Sequence, residues 1–137
     1  MADIARSVDT SGSRLPLVGI VDADRRVRHS LTDVLRLGGV RVAGAAATSG
    51  EALALVEMHR PDLIVIDPHL PSASAGAALL AGIRTRWPWI RVVLIGWREA
   101  AQSEVNTPVA VYVSKTAAPE EFVRAILTAL QPDPPAA

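Results

Sequence analysis

The chain has 137 residues, 14 Lys+Arg against 14 Asp+Glu, no cysteine, and a hydrophobic half. One domain of this size buries about 70% of its extended-chain surface. The zero net charge gives no electrostatic footprint for nucleic acid or an anionic membrane, and the missing cysteines exclude a disulfide framework and thiol chemistry.

Residues 1–14 are polar and without periodicity, and read as a flexible tail. The start, Met1 to Ser7, has no basic region followed by an apolar stretch, as a signal peptide would. No apolar run reaches the roughly 18 residues of a membrane span. The expected location is therefore the cytoplasm, with no membrane partner.

From Leu15 short apolar runs alternate with helical patterns. The first strand is Leu17 to Val21, ending at Asp22. A helix follows from about Arg26 to Leu37, with Val27, Leu31, Val34 and Leu35 on one face and Gly38-Gly39 ending it. The second strand is Val40 to Ala45. Thr48 and Glu51 have capping-box spacing and open a second helix carrying Ala52, Leu55, Val56 and His59. Pro61 separates it from the third strand, Leu63 to Ile66, which ends at Asp67.

A Pro71–Gly76 loop is expected next, then a third helix with Leu79, Leu80 and Ile83 inward. Trp87-Pro88 stops that helix, since the residue before proline is pushed out of helical geometry. Trp87 and Trp89 are expected to cover the corner into the fourth strand, Arg91 to Ile95. Residues 98–108 have room only for a short, weak helix. The fifth strand, Val109 to Ser114, ends at Lys115. Pro119 suits the first position of a last helix, with Glu120 and Glu121 complementing its dipole and Phe122, Ile126 and Leu130 buried. A Pro-rich tail, 131–137, closes the chain.

Near-continuous apolar strands suit a parallel sheet buried on both faces. Five of them alternating with five helices make a doubly wound α/β domain. In such sheets the ligand crevice lies at the carboxyl ends of the strands. Asp22, Asp67 and Lys115 all arrive there, which suggests a site for a metal ion and a phosphoryl group. There is no dinucleotide fingerprint and no Walker loop; His29, His59 and His69 are too scattered for a metal cluster.

Four stretches in this order, Ile20 to Asp24, Pro61 to Asp67, Leu70-Pro71 and Tyr112 to Lys115, together with Pro119 to Ile126, resemble the receiver domains of two-component response regulators. The resemblance covers roughly residues 15–130. It implies a flavodoxin-like five-stranded sheet in the order 2-1-3-4-5. Asp67 matches the aspartate that accepts a phosphoryl group; an aspartate nucleophile forms an acyl phosphate. Asp22 matches the first of an acidic pair that holds Mg²⁺, an ion content with a few carboxylates plus waters and phosphate oxygens. Asp67 shares that metal role, with the backbone of His69. Lys115 matches the phosphate-pairing lysine, and Tyr112 the aromatic switch. The implied partners are a sensor histidine kinase or phosphotransfer protein upstream, an effector protein downstream, and a second copy in a homodimer.

The departures from the family are specific. Ala23 stands where the second acid is usual, with Asp24 displaced by one residue. Gly96 replaces the hydroxyl residue at the end of the fourth strand, and Trp97 takes a place usually held by a small residue, where it is expected to roof the pocket rim. The Ser72–Gly76 loop reads one residue longer than usual, and the 98–108 segment several residues short.

Several residues also carry plainer readings. Asp22 also suits a helix cap or a solvated strand end; Asp24 suits the N-cap of the first helix as well as a substitute metal ligand. His69 is either a solvated loop residue or a tuner of the site. Arg25, Arg26 and Arg28 either attract an anion or start a helix. Two functions follow. One is an atypical, stand-alone receiver of a bacterial phosphorelay, phosphorylated on Asp67 and signalling by protein contact. The other is a degenerate receiver acting, without phosphorylation, as an interaction, dimerisation or small-ligand module. A small α/β hydrolase is a third class, and no second catalytic acid in a clear motif supports it.

Overall fold

The computed structural model describes residues 15–97 and 111–131. Its strands are β1 (Leu17–Val21), β2 (Arg41–Ala46), β3 (Leu63–Ile66), β4 (Arg91–Gly96) and β5 (Val111–Ser114). The helices are α1 (Arg25–Leu37), α2 (Ser49–His59), α3 (Ala73–Arg86) and α4 (Pro119–Leu130). All five strands pair in parallel, in the order β2-β1-β3-β4-β5. The sheet order is the expected one. The short helix expected over 98–108, the start of the fifth strand at Val109 and Ala110, and both tails apart from Gln131 lie outside the described residues.

Strand side chains alternate between two cores. Val21, Ile64, Ile66, Val92 and Leu94 face one way and pack with Ala52 and Val56 of α2 and Leu79, Leu80 and Ile83 of α3. Val18, Ile20, Leu63, Val65, Val93, Ile95 and Val113 face the other way, against Leu35 of α1 and Phe122, Ile126 and Ala129 of α4. The period-2 alternation of strand side chains thus splits unbroken apolar runs between two helical layers. Leu130, expected on the buried face of the last helix, is only half-buried, and Ala129 takes the inner position.

Two boundaries are set by local chemistry. Thr48 Oγ1 accepts from the Glu51 N–H at 3.1 Å, and Glu51 Oε1 reaches back to the Ala47 N–H at 2.9 Å, so the expected cap closes one residue further upstream than the usual box. α2 ends on Arg60 in the left-handed region, φ 48°. The expected Pro71–Gly76 loop is corrected. α3 starts at Ala73, capped by Ser72 Oγ on the Ala75 N–H at 3.3 Å. Gly76 is a buried helical residue there, because a Cβ on it would stand 1.7 Å from the Pro68 carbonyl oxygen. The glycine lets the first turn of α3 lie directly on the loop after β3.

The two tryptophans at the following corner separate. Trp87 is buried in the α2/α3 core, whereas Trp89 is exposed. At the entry end of the sheet, the Asp62 carboxylate accepts from the Leu17 N–H at 2.8 Å. The Asp62 N–H donates to Leu17 O (2.7 Å), and its carbonyl accepts from the Arg91 N–H (3.0 Å). One residue therefore stitches β1, β3 and β4 together at that end.

Candidate functional site at the carboxyl ends of the strands

Register brings the acidic residues together. Val21 pairs with Ile66, so Asp22 and Asp67 leave the sheet side by side. The pairing of Ile66 with Leu94, and of Ile95 with Val113, puts Lys115 two residue levels beyond Asp67 and two strands away. At about 3.3 Å per residue and about 4.8 Å per strand, its side chain has to reach back over the end of β4. Gly96, buried and without a side chain, ends β4 there, and its carbonyl accepts the Lys115 N–H at 2.7 Å.

The lysine ends between the two carboxylates. Its Nζ stands 2.7 Å from Asp22 Oδ2 and donates to Asp67 Oδ2 at 2.8 Å. The remaining oxygens hold backbone donors: Asp22 Oδ1 accepts the Asp24 N–H at 2.8 Å, and Asp67 Oδ1 accepts the His69 N–H at 2.9 Å. The side chains of Lys115 and Asp22 are 4% and 2% exposed, against 18% for Asp67. Asp67 is thus the carboxylate that a solvent-borne partner reaches first.

The charges on this triad sum to −1. Burial alone pulls the Lys115 ammonium towards neutrality, and its contacts with Asp22 and then Asp67 outweigh that, leaving its pKa above the usual 10.5. The lysine stays charged throughout the physiological range.

The other sequence candidates fall at different distances from this centre. Asp24 is exposed and caps α1, its Oδ1 accepting the Arg26 N–H at 2.8 Å. Ala23 is exposed beside it and contributes no carboxylate. His69 is close: its Nδ1 lies 3.5 Å from Asp67 Oδ1. Trp97 is exposed, with its ring centroid 5.2 Å from the Lys115 Nζ, so the indole lies over the cation. Tyr112 packs half-buried against the α2/α3 core.

Two further features join the site in the structure. Arg28 turns back from α1 and donates from Nη1 to the carbonyls of Asp22 (2.9 Å) and Ala23 (3.0 Å), fixing the corner that carries the buried acid. Ser114 and Thr116 hydroxyls pair at 2.7 Å on either side of Lys115, and the Thr116 N–H donates to Ser114 Oγ at 3.1 Å. A Ser-x-Thr step around the lysine was the available signal for the second. For the first there was none, since any long cation near a helix start looks the same.

The family model of the response regulator receiver domain matches residues 18–127. This chain belongs to the response regulator receiver family. It is 28% identical over 114 residues to the transcriptional regulatory protein CitT of Bacillus subtilis, covering 80% of this chain and 50% of CitT. The receiver thus spans about half the length of that relative. Among solved structures, the signal receiver domain of NarL from Mycobacterium tuberculosis is 28% identical with a TM-score of 0.74, covering 85% of this chain and 96% of that one. A receiver domain protein from Methanospirillum hungatei is 27% identical with a TM-score of 0.73, covering 85% and 94%. Receiver domains are signalling modules of two-component systems rather than enzymes, and they typically bind Mg²⁺ at the phosphorylation site.

The donor set of this receiver does not fit a resident divalent cation. Between the two Oδ2 atoms stands the Lys115 ammonium, and among the described residues no three acidic or histidine side chains gather as a metal group. Among the described residues no helix is long and apolar enough to cross a membrane.

Proposed function

We propose that this receiver accepts a phosphoryl group on Asp67 from a sensor histidine kinase or phosphotransfer protein and signals to an effector protein by direct contact. The observation that carries this reading is the contrast within the acidic pair. Asp67 alone opens to solvent, with an ammonium 2.8 Å from its Oδ2. A carboxylate oxygen of Asp67 attacks phosphorus, and the bond to the donor's leaving group breaks as the acyl phosphate bond forms. Lys115 then pairs with the phosphoryl oxygens as a point charge, a role supported by its Nζ standing 2.8 Å from Asp67 Oδ2 and 2.7 Å from Asp22 Oδ2. A new dianionic group would draw the ammonium away from Asp22, and that exchange of partners is the local event that shifts the domain between two states.

A second reading has its own observation. The ammonium already pairs with both carboxylates, and Ala23 offers no further ligand, which supports a receiver that acts as an interaction or dimerisation module without phosphorylation.

Intact mass after incubation with acetyl phosphate, with and without Mg²⁺ and beside Asp67→Ala, separates the two. The first reading expects an adduct that the Asp67→Ala protein lacks. A folded protein that gains no adduct from acetyl phosphate or from a phosphorylated kinase selects the second.

A further inference from the structure

We infer that Trp97 is a positioning residue that clamps the Lys115 ammonium onto the acidic pair through the face of its indole ring. An ammonium has three N–H donors. Two contacts of Lys115 go to Asp22 Oδ2 and Asp67 Oδ2, and the Trp97 ring, 5.2 Å away, is its remaining contact among the described residues. The exposures are opposed: the Trp97 residue is 63% exposed, and the side chain beneath it 4%. A large, mostly exposed ring thus lies over a cation that is itself buried.

The ring lies over the lysine, 5.2 Å from its Nζ. Asp67 keeps its opening to solvent, so the indole does not close the pocket to a ligand; it fixes where the cation stands before a ligand arrives. Trp has the strongest π face for a cation within about 6 Å of its centroid. The same contact holds the ammonium away from water on the side the carboxylates leave open. This role rests on Lys115 being the cation of the phosphoacceptor site, but the clamp itself exists without phosphorylation.

The test uses the whole chain and two variants. Trp97→Leu keeps apolar bulk without a π face, and Trp97→Phe keeps a π face; both replace an exposed ring, and thermal melting verifies their fold. Proton exchange between the Lys115 ammonium and water is followed by nitrogen-15 NMR, the signal being assigned by its loss in Lys115→Met. Exchange should quicken roughly two- to fivefold in Trp97→Leu, the size of a partly exposed cation–π contact, and stay closer to wild type in Trp97→Phe. Equal exchange in wild type and Trp97→Leu, or equal acceleration in both variants, overturns the clamp. Acetyl phosphate labelling of Asp67 is scored in parallel. Ring-dependent exchange with no labelling from either acetyl phosphate or a phosphorylated kinase keeps the clamp and removes the phosphoacceptor reading; labelling with ring-independent exchange does the reverse.

Discussion

Replacing Lys115 with methionine keeps the unbranched stem, one atom shorter, and removes the charge. The Asp22 carboxylate, 2% exposed, would retain the Asp24 N–H and lose its ion partner at 2.7 Å. Asp67 would then face it across the gap without a cation between them. Removing one partner of a buried ion pair costs about 3–5 kcal/mol, because the stranded charge cannot recover its water. Asp67 has 18% of its side chain in solvent and is partly screened, so the lower end, about 3 kcal/mol, is expected. In a domain of this size that corresponds to a melting temperature lower by roughly 10 °C and, with an m-value of about 1.5 kcal/mol/M, a urea midpoint lower by about 2 M. Urea denaturation of Lys115→Met, Asp22→Asn and the double variant checks the mechanism as well as the size. If the cost is a stranded charge, the double variant regains half or more of the loss of Lys115→Met. A single variant within 1 kcal/mol of wild type, or a double variant as weak as the single, refutes the argument.

Other expectations follow from the same geometry. Gly76→Ala puts a Cβ 1.7 Å from the Pro68 carbonyl oxygen, a clash with backbone; a loss of about 3 kcal/mol or more is expected, and a melting curve like that of wild type would show that α3 moves freely off the loop. Lys115 has a raised pKa, so its ion pairing contributes fully below the unfolded value of 10.5 and is lost as pH climbs through the higher folded value. Unfolding free energy should fall above about pH 10.5, and Lys115→Met should lack that step. Ala23→Asp adds a carboxylate beside Asp22 and should strengthen Mg²⁺ binding by roughly tenfold or more, read by calorimetric titration; unchanged affinity would mean that the ammonium, not the ligand count, governs the site.

How much of this was legible depended on how local each cause is. The strands and their terminal Asp22, Asp67 and Lys115 were readable because buried parallel strands leave unbroken apolar runs, and a charge that ends one stands out. The sheet order came from the resemblance and proved right. The start of α3 was misread because Ala73 to Ala77 offers only small residues, and Gly76 looks like a loop glycine until Pro68 is seen against it. Trp87 and Trp89 could not be told apart for a similar reason: which ring turns inward depends on the core formed by α2 and α3. Trp97 was placed at the rim, but that it covers the lysine follows from the reach of Lys115 across β4.

The Asp62 stitch makes the sheet mechanically two-ended. Asp62 lies five residues before Asp67, a span of about 16 Å along an extended strand, and it fastens the far ends of β1, β3 and β4. Whatever occupies the site therefore acts on strands already anchored at their feet, and any displacement it causes has to be taken up by the loops and helix starts above them. Amides of Leu17, Asp62 and Arg91 become fixed reference points against which motion elsewhere in the receiver can be measured.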